Sequence, residues 1–248
     1  MTTAESNSSF SSTVKNQVAL VTGATQGIGL AIARALADEG CNLIICGRDR
    51  ARLERAKNEL AARSVDVTHL ACDVRDEKTV EQMFSAIRKD FSKLDILVNS
   101  AGIAHAFKPV RELSLAEWND VLAANLTGTF LVTRAALPLM QRGSSIVNVL
   151  SMSSKRAFPN LAAYNASKFG ALGFTNTLRE ELRSQGIRVI SLLPGATDTP
   201  IWDTLWPDAP RQKMMRPESV ALALIAALKL PPESTVEELD LMPTAGAL

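Results

Sequence analysis

Short runs of apolar residues alternate along the chain with longer amphipathic stretches. Seven runs have the length of strands, and most are rich in Val, Ile or Leu: residues 18–22, 42–46, 67–71, 96–99, 145–150, 188–193 and 238–242. Several of these runs are apolar at consecutive positions, which is typical of strands that are covered on both faces. The pattern therefore predicts a buried sheet with other elements packed on each side of it.

The amphipathic stretches have the spacing of helices that bury one face. They cover residues 28–39, 50–63, 77–90, 115–140, 164–185 and 217–230. Gly40 and Gly186 are typical of positions where helices end, and Pro217 is typical of a first helical position. Pro138 marks a break near the end of the long central stretch.

Strands that alternate with helices indicate parallel strands joined by right-handed crossovers. Two architectures fit this order, a doubly wound open sheet and a closed eight-stranded barrel. The pattern contains seven strands and a glycine-rich first turn, which favours the open, nucleotide-binding type. We expect an α/β protein with a doubly wound Rossmann-type fold, in which a seven-stranded, mostly parallel sheet carries helices on both faces.

The domain organisation follows from the absence of internal repeats and linkers in the 248 residues. We expect one domain over residues 14–248, preceded by a disordered, Ser- and Thr-rich tail over residues 1–13. Residues 194–216 contain Pro, Asp and Trp and are predicted to form a long surface loop. Loops of that length are usually functional or disordered.

Composition and charge exclude several classes of protein. Apolar residues make up 46% of the chain, which is too many for a disordered protein, and the formal net charge is +1. This balance argues against a surface that holds nucleic acid or a membrane by bulk electrostatics. No apolar run approaches the ~18 residues of a membrane-spanning helix, and residues 1–13 lack the apolar segment of a secretory signal.

The cysteines and histidines add two further expectations. Cys41, Cys46 and Cys72 are odd in number and contain no C-x-x-C pair, so we expect buried, reduced thiols in a cytoplasmic protein. His69 and His105 are too few and too far apart in sequence to suggest a metal cluster. His105 follows the fourth predicted strand, where it could lie at the edge of an active site.

The first strand leads into a turn with three glycines, Gly23, Gly27 and Gly29. Gly23 permits a tight exit from the strand, Gly27 lets the backbone approach a phosphate, and Gly29 allows the helix to pack closely on the sheet. The helix that follows presents free N–H groups and a positive dipole end to a pyrophosphate. A glycine triplet is weak evidence alone, but its place in the first strand–helix unit predicts a dinucleotide site.

The end of the second predicted strand bears on the choice between NAD and NADP. An Asp or Glu that would accept from the ribose 2′-hydroxyl is expected there, and Gly47 takes its place, followed by Arg48. A guanidinium can pair with a 2′-phosphate, so NADP is favoured over NAD. Arg48 is the one positive charge that the sequence places near this position. Alternatively, Arg48 is a solvated side chain and Asp49 caps the next helix.

Tyr164 and Lys168 lie four residues apart and therefore on one face of a predicted helix. An ammonium near a phenol stabilises the phenolate and lowers its pKa, which would make Tyr164 a general acid or base. Ser151 follows a predicted strand, at the edge where ligands bind in parallel sheets, and could donate a hydrogen bond to a carbonyl oxygen.

These motifs together resemble the short-chain dehydrogenase/reductase family, in its single-domain type of about 250 residues. The resemblance covers nearly the whole chain and rests on motifs in the family's order: Thr22-Gly23-x-x-x-Gly27-x-Gly29, Cys72-Asp73-Val74, Asn99-Ser100-Ala101-Gly102, Asn125, Ser151, Tyr164-x-x-x-Lys168 and Pro194-Gly195. The thirteen residues from Ser151 to Tyr164 match the family spacing and select Ser151 over Ser153 and Ser154.

The resemblance implies a role at each matching position. Tyr164 would exchange a proton with the substrate oxygen, Lys168 would bind the nicotinamide ribose, Ser151 would hold the carbonyl, and Asn125 would anchor a water in a proton relay. The remaining cofactor contacts would come from Gly23, Thr25, Gln26, Gly27, Ile28, Gly29, Arg48, Asp73, Val74, Asn99, Ala101, Gly102, Pro194, Gly195, Thr197 and Thr199.

The resemblance implies an NADP(H)-dependent oxidoreductase that transfers a hydride between nicotinamide and a carbonyl or secondary alcohol. A non-catalytic NAD(P)-binding regulator or scaffold on the same fold is the alternative, and an epimerase or dehydratase is a further one. The C-terminal segment departs from the fatty-acid-type ketoacyl reductases and is closer to relatives that act on small hydroxy acids and assorted carbonyls. The substrate would depend on residues 197–216, which include Trp202 and Trp206.

The same resemblance predicts a homodimer or homotetramer built on two-fold axes. The predicted helices 115–140 and 164–185 lie side by side in this family. They carry apolar residues such as Phe130, Leu137 and Leu172, which could seal against a symmetry copy.

Overall fold

The computed structural model describes residues 13–246, and its central element is one seven-stranded sheet. The strands are β1 (Val18–Thr22), β2 (Asn42–Gly47), β3 (Val67–Ala71), β4 (Ile96–Asn99), β5 (Ser145–Val149), β6 (Arg188–Pro194) and β7 (Glu238–Leu241). Their order across the sheet is β3-β2-β1-β4-β5-β6-β7, and every neighbouring pair is parallel. The Rossmann-type prediction is confirmed, with strand bounds that differ from the predicted ones by at most one residue.

Helices cross between the strands. They are α1 (Gly27–Asp38), α2 (Arg50–Ala61), α3 (Glu77–Asp90), α4 (Leu115–Leu122), α5 (Gly128–Ala136), α6 (Ala162–Arg183), α7 (Ile201–Leu205) and α8 (Pro217–Leu228). A π-helical turn, Ala123–Thr127, joins α4 to α5, and a 3₁₀ turn, Leu137–Leu139, ends that stretch at Pro138. The predicted helix 115–140 is therefore continuous only as far as Ala136, because proline cannot extend it.

Two apolar clusters cover the two faces of the sheet. On one face Ile32 of α1 and Leu224 of α8 pack with Leu43 and Ile45 of β2. On the other face Phe84 of α3, together with residues of α5 and α6, packs against the intervening positions of the strands. Successive residues of β2 thus enter opposite cores, which explains why its sequence is apolar without alternation.

The segment between β6 and α8 differs from the predicted surface loop. It contains α7 and a 3₁₀ turn, Arg211–Lys213. The Arg211 guanidinium holds the segment together, because it donates to Asp198 Oδ1 at 2.8 Å, to the Thr199 carbonyl at 2.9 Å and to Asp203 Oδ1 at 2.6 Å. The sequence suggests a loop because α7 is too short to show helical periodicity.

The structure bears on the expectations for the cysteines, for metal ligands, for membrane-spanning helices and for the N-terminal tail. Cys41, Cys46 and Cys72 are free thiols and all three are buried. Among residues 13–246, no helix has the length and apolar content needed to cross a membrane, and no group of three potential metal ligands is present. The predicted tail lies outside the described residues except for Thr13.

Candidate active site

A cleft of about 510 Å³ lies at the carboxyl ends of the strands. Its walls come from the turns after β1, β2, β3, β4, β5 and β6, the start of α6 and the segment around α7. Eighteen of the expected site residues line the cleft. They are Gly23, Thr25, Gln26, Gly27, Ile28, Gly29, Arg48, Asp73, Val74, Ala101, Gly102, Ser151, Tyr164, Lys168, Pro194, Gly195, Thr197 and Thr199. Asn99 and Asn125 are not part of the cleft lining.

The glycine turn is shaped by close backbone approaches. Gly23 has a φ of +66°, and a Cβ there would lie 2.8 Å from the Cα of Ala101. A Cβ at Gly29 would lie 2.4 Å from the carbonyl oxygen of Gly23, which confirms that Gly29 permits the tight packing of α1. The first turn of α1 lines the cleft, and the N–H groups of a first helical turn have no partner within the helix. This cradle fits the pyrophosphate of a dinucleotide.

Two arginines lie at the end of the cleft beside β2. Arg48 has a side chain that is 55% exposed, and its Nη1 lies 3.9 Å from Asp73 Oδ2. Arg52, which the sequence analysis missed, donates from Nη1 to Gln26 Oε1 at 2.6 Å. The statement that Arg48 is the one positive charge near this position is therefore wrong. Asp49 accepts from the Arg52 backbone N–H at 2.9 Å and caps α2, as the alternative interpretation predicted.

Asp73 forms the opposite wall of this end of the cleft. Its carboxylate accepts from Nε of Arg75 at 3.0 Å and from Nη2 at 2.6 Å. These hydrogen bonds, with the charges of Arg75 and Arg48, hold the pKa of Asp73 below its ordinary value against the opposing effect of burial. Asp73 is therefore an anion that Arg75 fixes in place.

Ser151 and Tyr164 both line the other end of the cleft, where the Ser151 side chain acts on the Tyr164 hydroxyl and lowers its pKa. Ser151 lies just after β5, and its Oγ accepts from the N–H of Ser153 at 3.1 Å. Burial raises the pKa of the Tyr164 hydroxyl, and the Ser151 side chain opposes the rise. With the protein groups alone, Tyr164 is thus a neutral phenol at neutral pH, whereas the sequence analysis expected Lys168 to lower its pKa; burial outweighs that effect here.

Lys168 lies one turn along α6 from Tyr164, as predicted. Only 7% of the residue is exposed, its Nζ donates to the Val149 carbonyl at 3.0 Å, and it lies 5.7 Å from the centre of the Tyr164 ring. Desolvation lowers the pKa of Lys168 to about 8. The Val149 carbonyl fixes the position of the ammonium beside the phenol, because it accepts a hydrogen bond from one of the three N–H groups of Lys168.

Asn125 lies behind this pair, in the π-helical turn. Its Oδ1 accepts from the Ile103 N–H at 2.8 Å, and its Nδ2 donates to the Ile103 carbonyl and to Ser167 Oγ, both at 2.9 Å. Ser167 is fully buried and donates in turn to the Tyr164 carbonyl at 2.8 Å. Asn125 therefore positions the Ile103 loop and α6. The sequence analysis did not find Ser167.

Asn99 is buried and is not part of the cleft lining, so its expected contact with the cofactor stays a prediction. Its Nδ2 donates to Thr133 Oγ1 at 2.9 Å and to Asn148 Oδ1 at 2.8 Å, and Asn148 donates to Thr175 Oγ1 at 2.8 Å. As the last residue of β4, Asn99 points into the layer of helices because side chains alternate along a strand. Its amide therefore links β4 to α5 and β5.

Thr22, after Arg52 and Ser167, is a third residue of the site that was not predicted. Its Oγ1 accepts from the N–H groups of Ser100 and Ala101 at 3.0 and 3.1 Å. The hydroxyl thus ties the end of β1 to the turn after β4. Its place directly before Gly23 was the available signal.

Apolar side chains form the remainder of the cleft. Phe107 and Trp206 stack with ring centres 6.1 Å apart, and the Phe107 N–H donates to the Leu205 carbonyl at 3.2 Å. Phe158 and Leu161, which precede Tyr164, also line this end. His105 is buried and is not among the residues that line the cleft.

Comparison with known proteins identifies the family to which the chain belongs. Residues 17–210 match the short chain dehydrogenase family. The chain belongs to this family. Members named among its relatives are dehydrogenases and reductases, so the protein is an NAD(P)-dependent oxidoreductase that acts on small molecules.

The similar proteins have different named substrates. A sulfoacetaldehyde reductase of Chromohalobacter salexigens is 35% identical over 246 residues, which cover 94% of this chain and 96% of that protein. A putative ketoacyl reductase of Streptomyces coelicolor is 39% identical over 193 residues, which cover 76% of this chain and 74% of that protein.

The similar structures have been solved with different nucleotides. An alcohol dehydrogenase of Thermococcus sibiricus, in complex with 5-hydroxy-NADP, has a TM-score of 0.87 and 33% identity, with 94% of this chain and 98% of that one covered. A 3-ketoacyl-(acyl-carrier-protein) reductase of Brucella melitensis, in complex with NADH, has a TM-score of 0.84 and 31% identity, with 94% and 99% covered.

Proposed function

We propose that the protein is an NADP(H)-dependent carbonyl reductase and secondary-alcohol dehydrogenase with Tyr164 as its general acid and base. The observation that carries the proposal is the meeting of Ser151, Tyr164 and Lys168 in one cleft beside the glycine turn. A phenol placed beside a serine hydroxyl and a buried ammonium is arranged for proton exchange with an oxygen atom.

Each group has a distinct task in the reaction. Tyr164 donates its proton to the carbonyl oxygen in reduction and accepts the alcohol proton in oxidation. Ser151 donates a hydrogen bond to the same oxygen, which stabilises the negative charge that develops on it. The ammonium of Lys168 stabilises the phenolate that remains after Tyr164 has given up its proton. Asn125 holds the Ile103 loop against α6 through its hydrogen bonds to Ile103 and Ser167. The water relay behind Lys168 remains a prediction.

The cofactor site extends from the glycine turn to the Ser151–Tyr164 pair. When bound, the nicotinamide supplies or accepts the hydride. The glycine turn with α1 would hold the pyrophosphate, Asp73 and Val74 the adenine, and Thr197 and Thr199 the nicotinamide carboxamide or phosphates. Lys168 would hold the nicotinamide ribose with the donors that Val149 leaves free.

The preference for NADP over NAD is part of the same proposal. Arg48 and Arg52 lie where a 2′-phosphate is expected, and Gly47 provides no carboxylate that would repel it. Several similar structures are complexes with NADP, among them the Thermococcus sibiricus enzyme, which supports this choice.

We also propose a homodimer or homotetramer in the cytoplasm. Phe130 of α5 and Phe169 of α6 are 40% and 45% exposed, which supports a contact through these helices. Leu137 and Leu172, expected on the same surface, are half-buried against the chain's own core. The three free thiols support a reducing compartment.

A panel of ketones, aldehydes and secondary alcohols, followed by the absorbance of reduced nicotinamide with each nucleotide, tests the proposal. Tyr164→Phe keeps the ring and removes the acid, so we expect kcat to fall by roughly 10²–10⁴-fold. The affinity for NADPH should be unchanged. Turnover of no compound, or a loss under about tenfold in Tyr164→Phe, would reject the proposed chemistry.

A further inference from the structure

The two ends of the cleft differ in charge. At the adenosine end the lining includes charged side chains on the turns after β2 and β3: Arg48, Asp49, Arg52, Asp73 and Arg75. Among the described residues that line the rest of the cleft, Lys168 carries the one ionisable group other than Tyr164, and its ammonium is bound to the Val149 carbonyl. Arg156 is not part of the lining, although its guanidinium lies 5.4 Å from the centre of the Phe158 ring, so the lining beyond the Ser151–Tyr164 pair offers a substrate charge no direct partner other than Lys168.

That wall is apolar and partly aromatic. It is formed by Phe107, Met152, Phe158, Leu161, Leu205 and Trp206. The rings of Phe107 and Trp206 pack on each other with their planes 30° apart, and aromatic side chains in a pocket wall favour aryl groups through ring contacts in addition to area burial.

Hydrogen bonds to the catalytic elements fix this wall in place. The Phe158 carbonyl accepts from Asn165 Nδ2 at 2.7 Å, and Asn165 is the residue after Tyr164. Trp202 Nε1 donates to the Thr197 carbonyl at 2.8 Å, which ties the first turn of α7 to the segment after β6. The wall is thus built at a set position relative to the Tyr164 hydroxyl, as a specificity surface must be.

We propose that the substrate is an uncharged ketone, or the matching secondary alcohol, that carries an aryl or branched alkyl group. The inference rests on the proposed function, because the substrate oxygen must meet Ser151 and Tyr164. A carboxylate or sulfonate at this end would lose its hydration without gaining a partner, whereas an aryl group would bury apolar area. The preference sets the protein apart from the relative named for sulfoacetaldehyde, whose named substrate carries a sulfonate.

Acetophenone and 4-acetylbenzoate form a matched pair that differs in one carboxylate. With the purified full chain and NADPH, we expect kcat/KM for acetophenone to exceed that for 4-acetylbenzoate by at least about tenfold, the effect of one unpaired buried polar group. Equal values, or a preference for the carboxylate, would overturn the inference while leaving carbonyl reduction intact.

Two substitutions of Trp206 should change the substrate preference in different ways. Trp206→Ala should lower kcat/KM for acetophenone relative to acetone by about tenfold, because part of the aromatic wall is lost. Trp206→Arg should raise the ratio of 4-acetylbenzoate to acetophenone, because it supplies a guanidinium where the wall has none. Leu222→Ala removes an exposed apolar side chain from α8, outside the cleft, and should leave both ratios unchanged.

A binding measurement separates this inference from the proposed chemistry. Titration calorimetry with 1-phenylethanol should show saturable binding to the wild type and a higher dissociation constant in Trp206→Ala. If no carbonyl is reduced but this binding occurs, the reaction is wrong and the uncharged aryl site stands. If acetophenone is neither reduced nor, as the alcohol, bound, the inference is rejected.

Discussion

The guanidinium of Arg52 donates to Oε1 of Gln26 at 2.6 Å and so joins the first turn of α2 to the turn before α1. Arg48, on the neighbouring turn, contacts no part of α1 in this way, and its ion pair with Asp73 spans 3.9 Å. One cation of the adenosine end is therefore held by the glycine turn, and the other is freer to meet a ligand.

Arg48→Ala should weaken the binding of NADPH by about tenfold and leave the binding of NADH nearly unchanged. A hydrogen bond from a charged group contributes roughly 1.5–3 kcal/mol, and we take the lower end because the side chain is 55% exposed. Dissociation constants from titration calorimetry at two salt concentrations measure the effect, which should shrink at high salt. Arg111→Ala, on an 84% exposed side chain outside the cleft, is the control. Equal weakening of both nucleotides would show that Arg48 does not read the 2′-phosphate.

Lys168 should make the stability of the nucleotide-free protein depend on alkaline pH. Its pKa is lowered from 10.5 to about 8, so between these values the unfolded chain holds a proton that the folded protein has lost. The free energy of unfolding should therefore rise with pH in this window, by at most ~1.4 kcal/mol per pH unit, and gain nothing from this group below pH 8.

Urea unfolding of the wild type and Lys168→Met at several pH values isolates this contribution. The difference between the two curves removes the titration of all other groups. A difference that stays constant across the window would show that the ammonium remains charged in the fold.

Gly29→Ala should destabilise the protein, whereas Gly173→Ala should stabilise it. A Cβ at Gly29 would lie 2.4 Å from the Gly23 carbonyl oxygen, which forces α1 away from β1 at a cost of ~1–3 kcal/mol. Gly173 lies within α6 with no atom within 4 Å of its added Cβ, and alanine there should gain about 1 kcal/mol. Chemical denaturation measures both. NADPH affinity should fall in Gly29→Ala alone, and a neutral result for that variant would contradict the tight packing.

Sedimentation at micromolar concentration should show a dimer or tetramer. Phe130→Asp places a charge on the apolar surface of α5 and should shift the protein towards monomer. Val110→Asp changes a 72% exposed side chain on a separate 3₁₀ turn and should leave the assembly intact. A monomeric wild type would refute the proposed interface.

Local patterns were sufficient for most of the fold and for the reacting hydroxyls. Gly23, Gly27 and Gly29 lie in one turn, and Tyr164 and Lys168 on one helix, so their spacing alone predicts their proximity. Ser151 needed the family spacing, because Ser153 and Ser154 offer the same hydroxyl.

The residues that the sequence analysis missed depend on contacts between distant segments. Arg52 belongs to α2, and the Gln26 bond that places it in the cleft crosses 26 residues. Phe107, Phe158 and Trp206 come from three separate segments, so no run of the sequence reveals the apolar wall. The partners of the Asn99 amide, Thr133 and Asn148, are likewise distant in sequence, so its hydrogen bonds could not be predicted from the local pattern.

The bonds from Thr22 to Ser100 and Ala101 bridge 78 and 79 residues of chain. Contacts of such separation require a long loop of chain to be closed, which costs conformational entropy before they stabilise anything. The nucleotide cradle is therefore a product of strand β1 pairing with β4 and cannot form as a local motif. Hydrogen exchange of the Ser100 and Ala101 amides should report the opening of the central sheet, so the protein loses its cofactor site when those two strands separate.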